Sequence, residues 1–150
     1  MSIKHPVVVV TGSSGAGTST VRKALEAIFH RHRINPALIE GDSFHRYDRE
    51  GMRQQMDEAN AAGISFSHFG AAANQFDLLQ QLFRGYGESG AGQRRYYLHN
   101  EDEARQHSQR LGVTLESGQF TPWEDIEAGT DLLFYEGLHG LAKSGDHDVS

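Results

Sequence analysis

The chain has 150 residues, with 14 Lys and Arg against 20 Asp and Glu and a formal charge of −6. That length holds one domain, and that charge argues against general binding to nucleic acid or to anionic membranes. With no cysteine, disulfides, thiolate metal sites and thiol nucleophiles are excluded; no run approaches the roughly 18 apolar residues of a membrane helix, and the expected location is the cytoplasm.

Residues 6–11, Pro-Val-Val-Val-Val-Thr, are a β-branched run apolar on both faces, which suits a central parallel strand. Gly12 to Gly17 follow as a loop with glycines at 12, 15 and 17. A helix is predicted over 19–32, because Val21, Ala24, Leu25, Ile28 and Phe29 fall on one face. Arg22, Lys23, Glu26 and Arg33 lie largely off that stripe. Asn35-Pro36 ends the helix, residues 37–40 form a second strand, and Gly41-Asp42 follow directly. This is a β-loop-α-β unit.

Residues 48–62 read as a weakly amphipathic helix with Met52, Met56 and Ala59 as its apolar stripe. Residues 64–70 are an aromatic loop. Residues 74–86 read as a helix through Phe76, Leu79, Leu82, Phe83 and Tyr86, and Gly85 to Gly92 as a loop. A short strand is expected over 94–99, no definite element over 101–112, and a turn around Thr121-Pro122-Trp123. Residues 131–135 are a third core strand ending at Glu136-Gly137. A doubly wound sheet usually has about five strands. Three therefore read as the N-terminal part of a larger α/β domain.

Gly12-Ser13-Ser14-Gly15-Ala16-Gly17-Thr18-Ser19 matches the phosphate-loop pattern G-x-x-x-x-G-K-[ST], except that Thr18 replaces the lysine. Glycines let the backbone turn its N–H groups inward as an anion nest, and the helix N-terminus adds partial positive charge. The Ser19 hydroxyl stands where a Mg²⁺ ligand is expected. Without the lysine, nucleotide binding relies on backbone donors, Mg²⁺ and a charge from elsewhere.

Ligands of open α/β sheets sit at the carboxyl ends of the strands. Asp42 follows the second strand and Glu136 ends the third. Asp42 is assigned as a general base and Glu136 to Mg²⁺. Either carboxylate alone also fits a simple cap of a turn. Arg46, Arg49 and Arg53 share one face if their segment is helical, and with His45 they suit an anionic substrate. Taken alone, a solvated face paired with Asp48, Glu50 and Asp57 explains them as simply. Arg94 to His99 mixes basic and aromatic residues, and an edge strand with exposed arginines is the preferred reading. The histidines show no H-x-x-x-H pair, so no zinc site is expected.

Three stretches together resemble the bacterial phosphoribulokinases: Thr11-Gly-Ser-Ser-Gly-Ala-Gly-Thr-Ser-Thr20, Ile39-Glu-Gly-Asp-Ser-Phe-His45 and Leu133-Phe-Tyr-Glu-Gly-Leu-His139. Phe66-Ser-His-Phe69 and Tyr86-Gly-Glu-Ser-Gly90 are similar as well, and the threonine at the lysine position is a shared peculiarity. The resemblance implies an α/β P-loop kinase-like (nucleoside triphosphate hydrolase) fold, a mostly parallel sheet with flanking helices. Residues 1–150 would then be the N-terminal part of one kinase domain whose remainder is missing. The implied reaction moves the γ-phosphoryl group of ATP to D-ribulose 5-phosphate, giving D-ribulose 1,5-bisphosphate for carbon fixation in the Calvin cycle.

On that resemblance, Gly12, Ser13, Ser14, Gly15, Ala16, Gly17, Thr18, Ser19 and Thr20 cradle ATP. Asp42 takes the sugar proton, and Ser19 and Glu136 organise Mg²⁺. His45, Arg49 and Arg53 hold the sugar phosphate. Arg31 matches a position of allosteric control, with NADH and AMP as implied effectors and a homo-oligomer as the implied full-length state. Plant relatives are switched by thiol oxidation, which these residues cannot undergo. The 150 residues alone are expected to bind nucleotide weakly and to transfer phosphate negligibly. Two other readings fit the same motifs: a uridine- or pantothenate-kinase-like enzyme, which normally keeps the loop lysine, and a non-catalytic nucleotide-sensing module.

Overall fold

A computed structural model describes residues 4–12, 18–66, 73–137, 143–144 and 147–148 of the chain. Its centre is a three-stranded parallel sheet of β1 (Val7–Thr11), β2 (Pro36–Glu40) and β5 (Leu132–Gly137), in the order β1-β5-β2. The three core strands are those expected, and the last to arrive in the chain is the middle one. Leu132 to Tyr135 are all buried, as the central position of an apolar parallel strand demands. The register pairs Val10 with Glu136, Thr11 with Gly137, and Glu40 with Glu136. All three strands therefore end level.

Helix α1 (Thr18–Arg31) crosses one side of the sheet, with Phe29 buried edge-on against Phe134 at 5.5 Å. Its inward face is rotated from the expected stripe. Val21 is 47% and Ile28 43% exposed, while Arg22, Leu25, Glu26 and Phe29 turn inward. On that inward face Arg22 reaches two carboxylates at the sheet end. On the other side lies the larger core, where Ile39, Phe44, Leu79, Leu82, Tyr86, Leu133 and Tyr135 pack together.

Helix α2 (Arg49–Ala61) starts at Asp48, whose side chain accepts the Gly51 N–H at 2.8 Å. Arg46 precedes that helix, so Arg46, Arg49 and Arg53 do not share one helical face as expected. Helix α3 (Phe76–Ser89) runs past Gly85 and Gly87, which the sequence reading placed in a loop. Burial of Tyr86 carries it through, and it stops at Gly90, where φ is +73°.

The strand expected over 94–99 shrinks to β3 (Gln93–Arg94), paired antiparallel with β4 (Glu124–Asp125). Beyond it the chain stays extended and is tied by a Tyr97–Phe120 bridge. Residues 101–111, left unassigned from the sequence, form helix α4 (Glu101–Leu111). Asn100 caps it by accepting the Glu103 N–H at 2.9 Å, and Gly112 closes it in the left-handed conformation. β6 (Lys143–Ser144) and β7 (His147–Asp148) form a separate antiparallel pair.

One close approach fixes where β2 ends. A Cβ on Gly41 would fall 2.6 Å from Tyr135 Oη and 2.9 Å from Gly137 Cα. Only glycine lets the two strand ends come together above the buried ring. Gly41→Ala is expected to cost about 1–3 kcal/mol in urea unfolding. Adding Tyr135→Phe should recover only part of that loss, because the clash with the Gly137 backbone remains. An unchanged midpoint for Gly41→Ala would contradict this packing.

Candidate functional site

β2 gives way to a 3-10 turn, Gly41–Phe44, that presents Asp42 at the carboxyl end of the sheet. Ser43 Oγ donates to Glu40 O at 2.6 Å, and the His45 N–H donates to Asp42 O at 3.3 Å. Gln75 N–H donates to Phe44 O and Arg46 N–H to Ala73 O, both at 2.8 Å. The turn is thus held by its own side chain and by the strand-like segment 73–75.

Two histidines meet the Asp42 carboxylate. His45 Nε2 lies 3.3 Å from Oδ1, with its Nδ1 2.9 Å from Asn74 Oδ1. His99 Nε2 lies 2.9 Å from Oδ2, and its Nδ1 is 3.0 Å from Glu103 Oε2. With a carboxylate at each ring nitrogen, only the imidazolium form of His99 donates to both. The hydrogen bond from His45, against the cost of burial and with help from His99, lowers the Asp42 pKa to about 2. Burial alone would lower the His99 pKa, but its bonds to Asp42 and Glu103 outweigh that and raise it.

Asp42, His45, Arg49, Arg53, Met52 and Tyr97 line one cavity of about 440 Å³. Arg49 Nη2 donates to His99 O at 3.2 Å, and Arg53 pairs with Glu50 on the helix surface. A second cavity of about 290 Å³, between α3 and Trp123, is lined by no titratable side chain.

A separate charge cluster closes the sheet end. Arg22 lies 3.0 Å from Glu26, 3.6 Å from Glu40 and 4.0 Å from Glu136. Burial raises the Glu40 pKa, against the attraction of His99 and Arg22. Three carboxylates thus surround one guanidinium at the sheet end. Among the described residues, no group of three or more His, Asp or Glu side chains is already gathered as a metal site.

The structure brings Asp42, His45, Arg49 and Arg53 to one cavity and sets Glu136 at the end of the central strand. Gly12 follows β1, and Thr18, Ser19 and Thr20 begin α1. Ser13, Ser14, Gly15, Ala16 and Gly17 lie outside the described residues, as do the side chains of Thr18 and Ser19. Arg31 is exposed in the last turn of α1, away from the cavity.

The sequence reading missed His99, Glu103, Arg22 and Glu40 as members of these clusters. Asn100 followed by Glu103 is a cap signal that would have located α4 and, just before it, His99. Glu40 carries a simpler signal, as an acid at the end of a buried strand. Arg95, expected on an exposed edge, is half-buried. It donates to Ser43 O and His45 O, each at 2.8 Å.

A sequence profile described as the "Phosphoribulokinase / Uridine kinase family" matches residues 7–146. A plasmid-encoded phosphoribulokinase of Cupriavidus necator is 52% identical across 100% of this chain and 50% of its own length. A probable phosphoribulokinase of Escherichia coli is 49% identical, again over 100% of this chain and 50% of its own. The solved phosphoribulokinase from Rhodobacter spheroides superposes with a TM-score of 0.80 at 41% identity, over 97% of this chain and 47% of that one. The chain spans about half the length of the curated relatives it matches. The P-loop kinase fold expected from the sequence, a parallel sheet with flanking helices, is the one observed. Among the described residues no helix is long and apolar enough to cross a membrane.

The two shifted groups give opposite pH dependences. The stability from Asp42 is present above its ordinary 3.8 and is lost as pH falls through about 2. That from His99 is full below 6.5 and is lost as pH rises through its elevated folded value. His99→Gln should move the Asp42 carboxyl titration, followed by ¹³C NMR, upward from about 2 toward 3.8. It should also remove the His99 part of the alkaline loss. An unmoved Asp42 titration would contradict the pairing.

Proposed function

This chain belongs to the phosphoribulokinase/uridine kinase family, and from that premise we propose that it carries the acceptor side of an ATP-dependent sugar-phosphate kinase. The acceptor is D-ribulose 5-phosphate and the product D-ribulose 1,5-bisphosphate. The observation that carries this reading is the single cavity in which Asp42 faces Arg49, Arg53 and His45. A carboxylate for a hydroxyl proton and cations for a phosphate stand in one space, with Asp48 and Asp57 also on its wall. Arg49 gives one donor to the His99 carbonyl and Arg53 pairs with the exposed Glu50; a sugar phosphate would bring both guanidiniums an anion from the cavity side, and a nucleoside without phosphate would not.

The acceptor hydroxyl oxygen bonds to the γ-phosphorus as the bond to the β-phosphate oxygen breaks and ADP leaves. Asp42 receives the hydroxyl proton. A carboxylate held near 2 is a weak base for a sugar alcohol. In a loose transition state, however, the proton leaves late, once bonding to phosphorus has made the oxygen acidic. Position then matters more than basicity, and the two histidines supply position.

The phosphate loop from Gly12 to Thr20 would hold the ATP phosphates by backbone N–H groups at the start of α1. Glu136 and the Ser19 hydroxyl would hold Mg²⁺, with Arg22 and Glu40 beside Glu136. Bound Mg²⁺ neutralises charge on the transferred group. Arg31 stands at the other end of α1, so an effector such as NADH or AMP bound there would act on the loop through that helix.

The test is ADP release from Mg-ATP by the longest protein carrying these residues, with ribulose 5-phosphate and with uridine in parallel. Release that needs ribulose 5-phosphate is expected, and release that needs uridine instead would overturn the reading. Asp42→Asn should lower turnover by about 10²–10⁴-fold with ATP affinity nearly unchanged. Arg49→Ala should raise the acceptor KM by roughly tenfold or more and leave the ATP KM alone. A change confined to the ATP KM would place Arg49 on the wrong side of the reaction.

A further inference from the structure

Arg95 has an unusual set of partners for a cation. Its Nε donates to Ser43 O and its Nη2 to His45 O, each at 2.8 Å. Its Cζ lies 3.6 Å from the centroid of the Phe120 ring and 4.6 Å from that of Trp123. Burial, opposed by the charge of Asp48, lowers its pKa to about 10. Desolvating a guanidinium is costly. Among the described residues the charge is met by backbone carbonyls and ring faces rather than by a carboxylate at ion-pair distance.

The two carbonyls lie in the segment that carries Asp42. Ser43 follows it within the 3-10 turn and His45 closes that turn. A short 3-10 turn cannot satisfy its own last carbonyls. Arg95 reaches them from a segment 50 and more residues away.

The residues around it follow one pattern. In an extended chain, positions i, i+2 and i+4 share a face. Arg95, Tyr97 and His99 all meet the 42–45 segment. Arg95 holds its carbonyls, the Tyr97 ring lies edge-on to the His45 ring at 6.5 Å, and His99 meets the Asp42 carboxylate at 2.9 Å.

We propose that Arg95 is a positioning residue for the reaction: by gripping the carbonyls of Ser43 and His45 it fixes the turn that aims Asp42 and His45 into the acceptor cavity. The proposal rests on the reading of Asp42 as the base. Lysine cannot replace this arginine. One ammonium group does not bridge two carbonyls in a fixed fork while lying flat on a ring.

The experiment compares Arg95→Lys and Phe120→Leu with the unaltered protein, in the longest protein carrying these residues and well below its melting temperature. Three quantities are read: the melting temperature, the steady-state constants for ATP and for ribulose 5-phosphate, and the His99 ring titration by NMR. In folded Arg95→Lys, kcat should fall by about tenfold or more, since a misplacement near 1 Å costs that much. The ATP KM should stay unchanged, and the His99 titration should drop toward 6.5 as Asp42 swings away.

A lower melting temperature with kcat and the His99 titration intact would make Arg95 mere packing and overturn the proposal. If Arg95→Lys does not fold, Phe120→Leu decides. It keeps both carbonyl bonds but loosens their donor, so the same changes should appear at a few-fold size. Unchanged kcat and His99 titration in that variant would overturn the proposal. Should the unaltered protein release no ADP with ribulose 5-phosphate, the functional reading fails separately. The His99 titration, which needs no acceptor, then decides alone whether Arg95 holds Asp42 in place.

Discussion

The close approach of Gly41 and Gly137 over the Tyr135 ring sets the geometry of everything else. There Gly41 and Gly137 meet, and the chain turns immediately after Glu40. The turn then has nowhere to go but across the carboxyl end of the sheet, so Asp42 is delivered there by backbone geometry. The side chains that hold it come later and from elsewhere in the chain. Apolar, largely aromatic layers pack on both sides of the sheet. Phe29 and Phe134 meet on one side, and Tyr135, Leu133 and Phe44 pack on the other.

Two charge clusters then divide the labour. Around Arg22, carboxylates outnumber cations, and the surplus negative charge lies beside the start of α1. Around Asp42, histidines from two segments compensate one carboxylate, and arginines line the adjoining cavity. In the proposed function the first would stand beside a divalent cation travelling with a nucleotide, and the second would take a phosphorylated alcohol. Neither cluster is a local motif. His99 and Asp42 are 57 residues apart, and Arg22 reaches across from α1 to two different strands.

That separation explains what was legible in the sequence. The opening strand, the helix and the second strand were readable because apolar runs are local. Asp42, His45, Arg49 and Arg53 were placed near one another because 12 residues cannot stray far. The rotation of α1 was not readable. An apolar count points Val21 and Ile28 inward, but the helix turns Arg22 toward acids whose position only the folded sheet reveals. α4 escaped because Ala104 is its only buried residue, and its signal lay in its caps. Arg95 read as an exposed edge cation because its acceptors are backbone carbonyls, which every sequence contains.

The proposed function requires nucleotide, metal and acceptor to meet at the carboxyl ends of β1, β5 and β2. Paramagnetic broadening by Mn²⁺ bound with ATP tests it most directly, because the effect falls steeply with distance. Gly137 and Leu132 stand at opposite ends of one strand, on the order of 15 Å apart at the usual rise per residue. The account predicts strong broadening at Asp42, Glu40 and Glu136, with Leu132 and Asn35 largely spared. Equal broadening along β5, or broadening centred on Leu132, would contradict it.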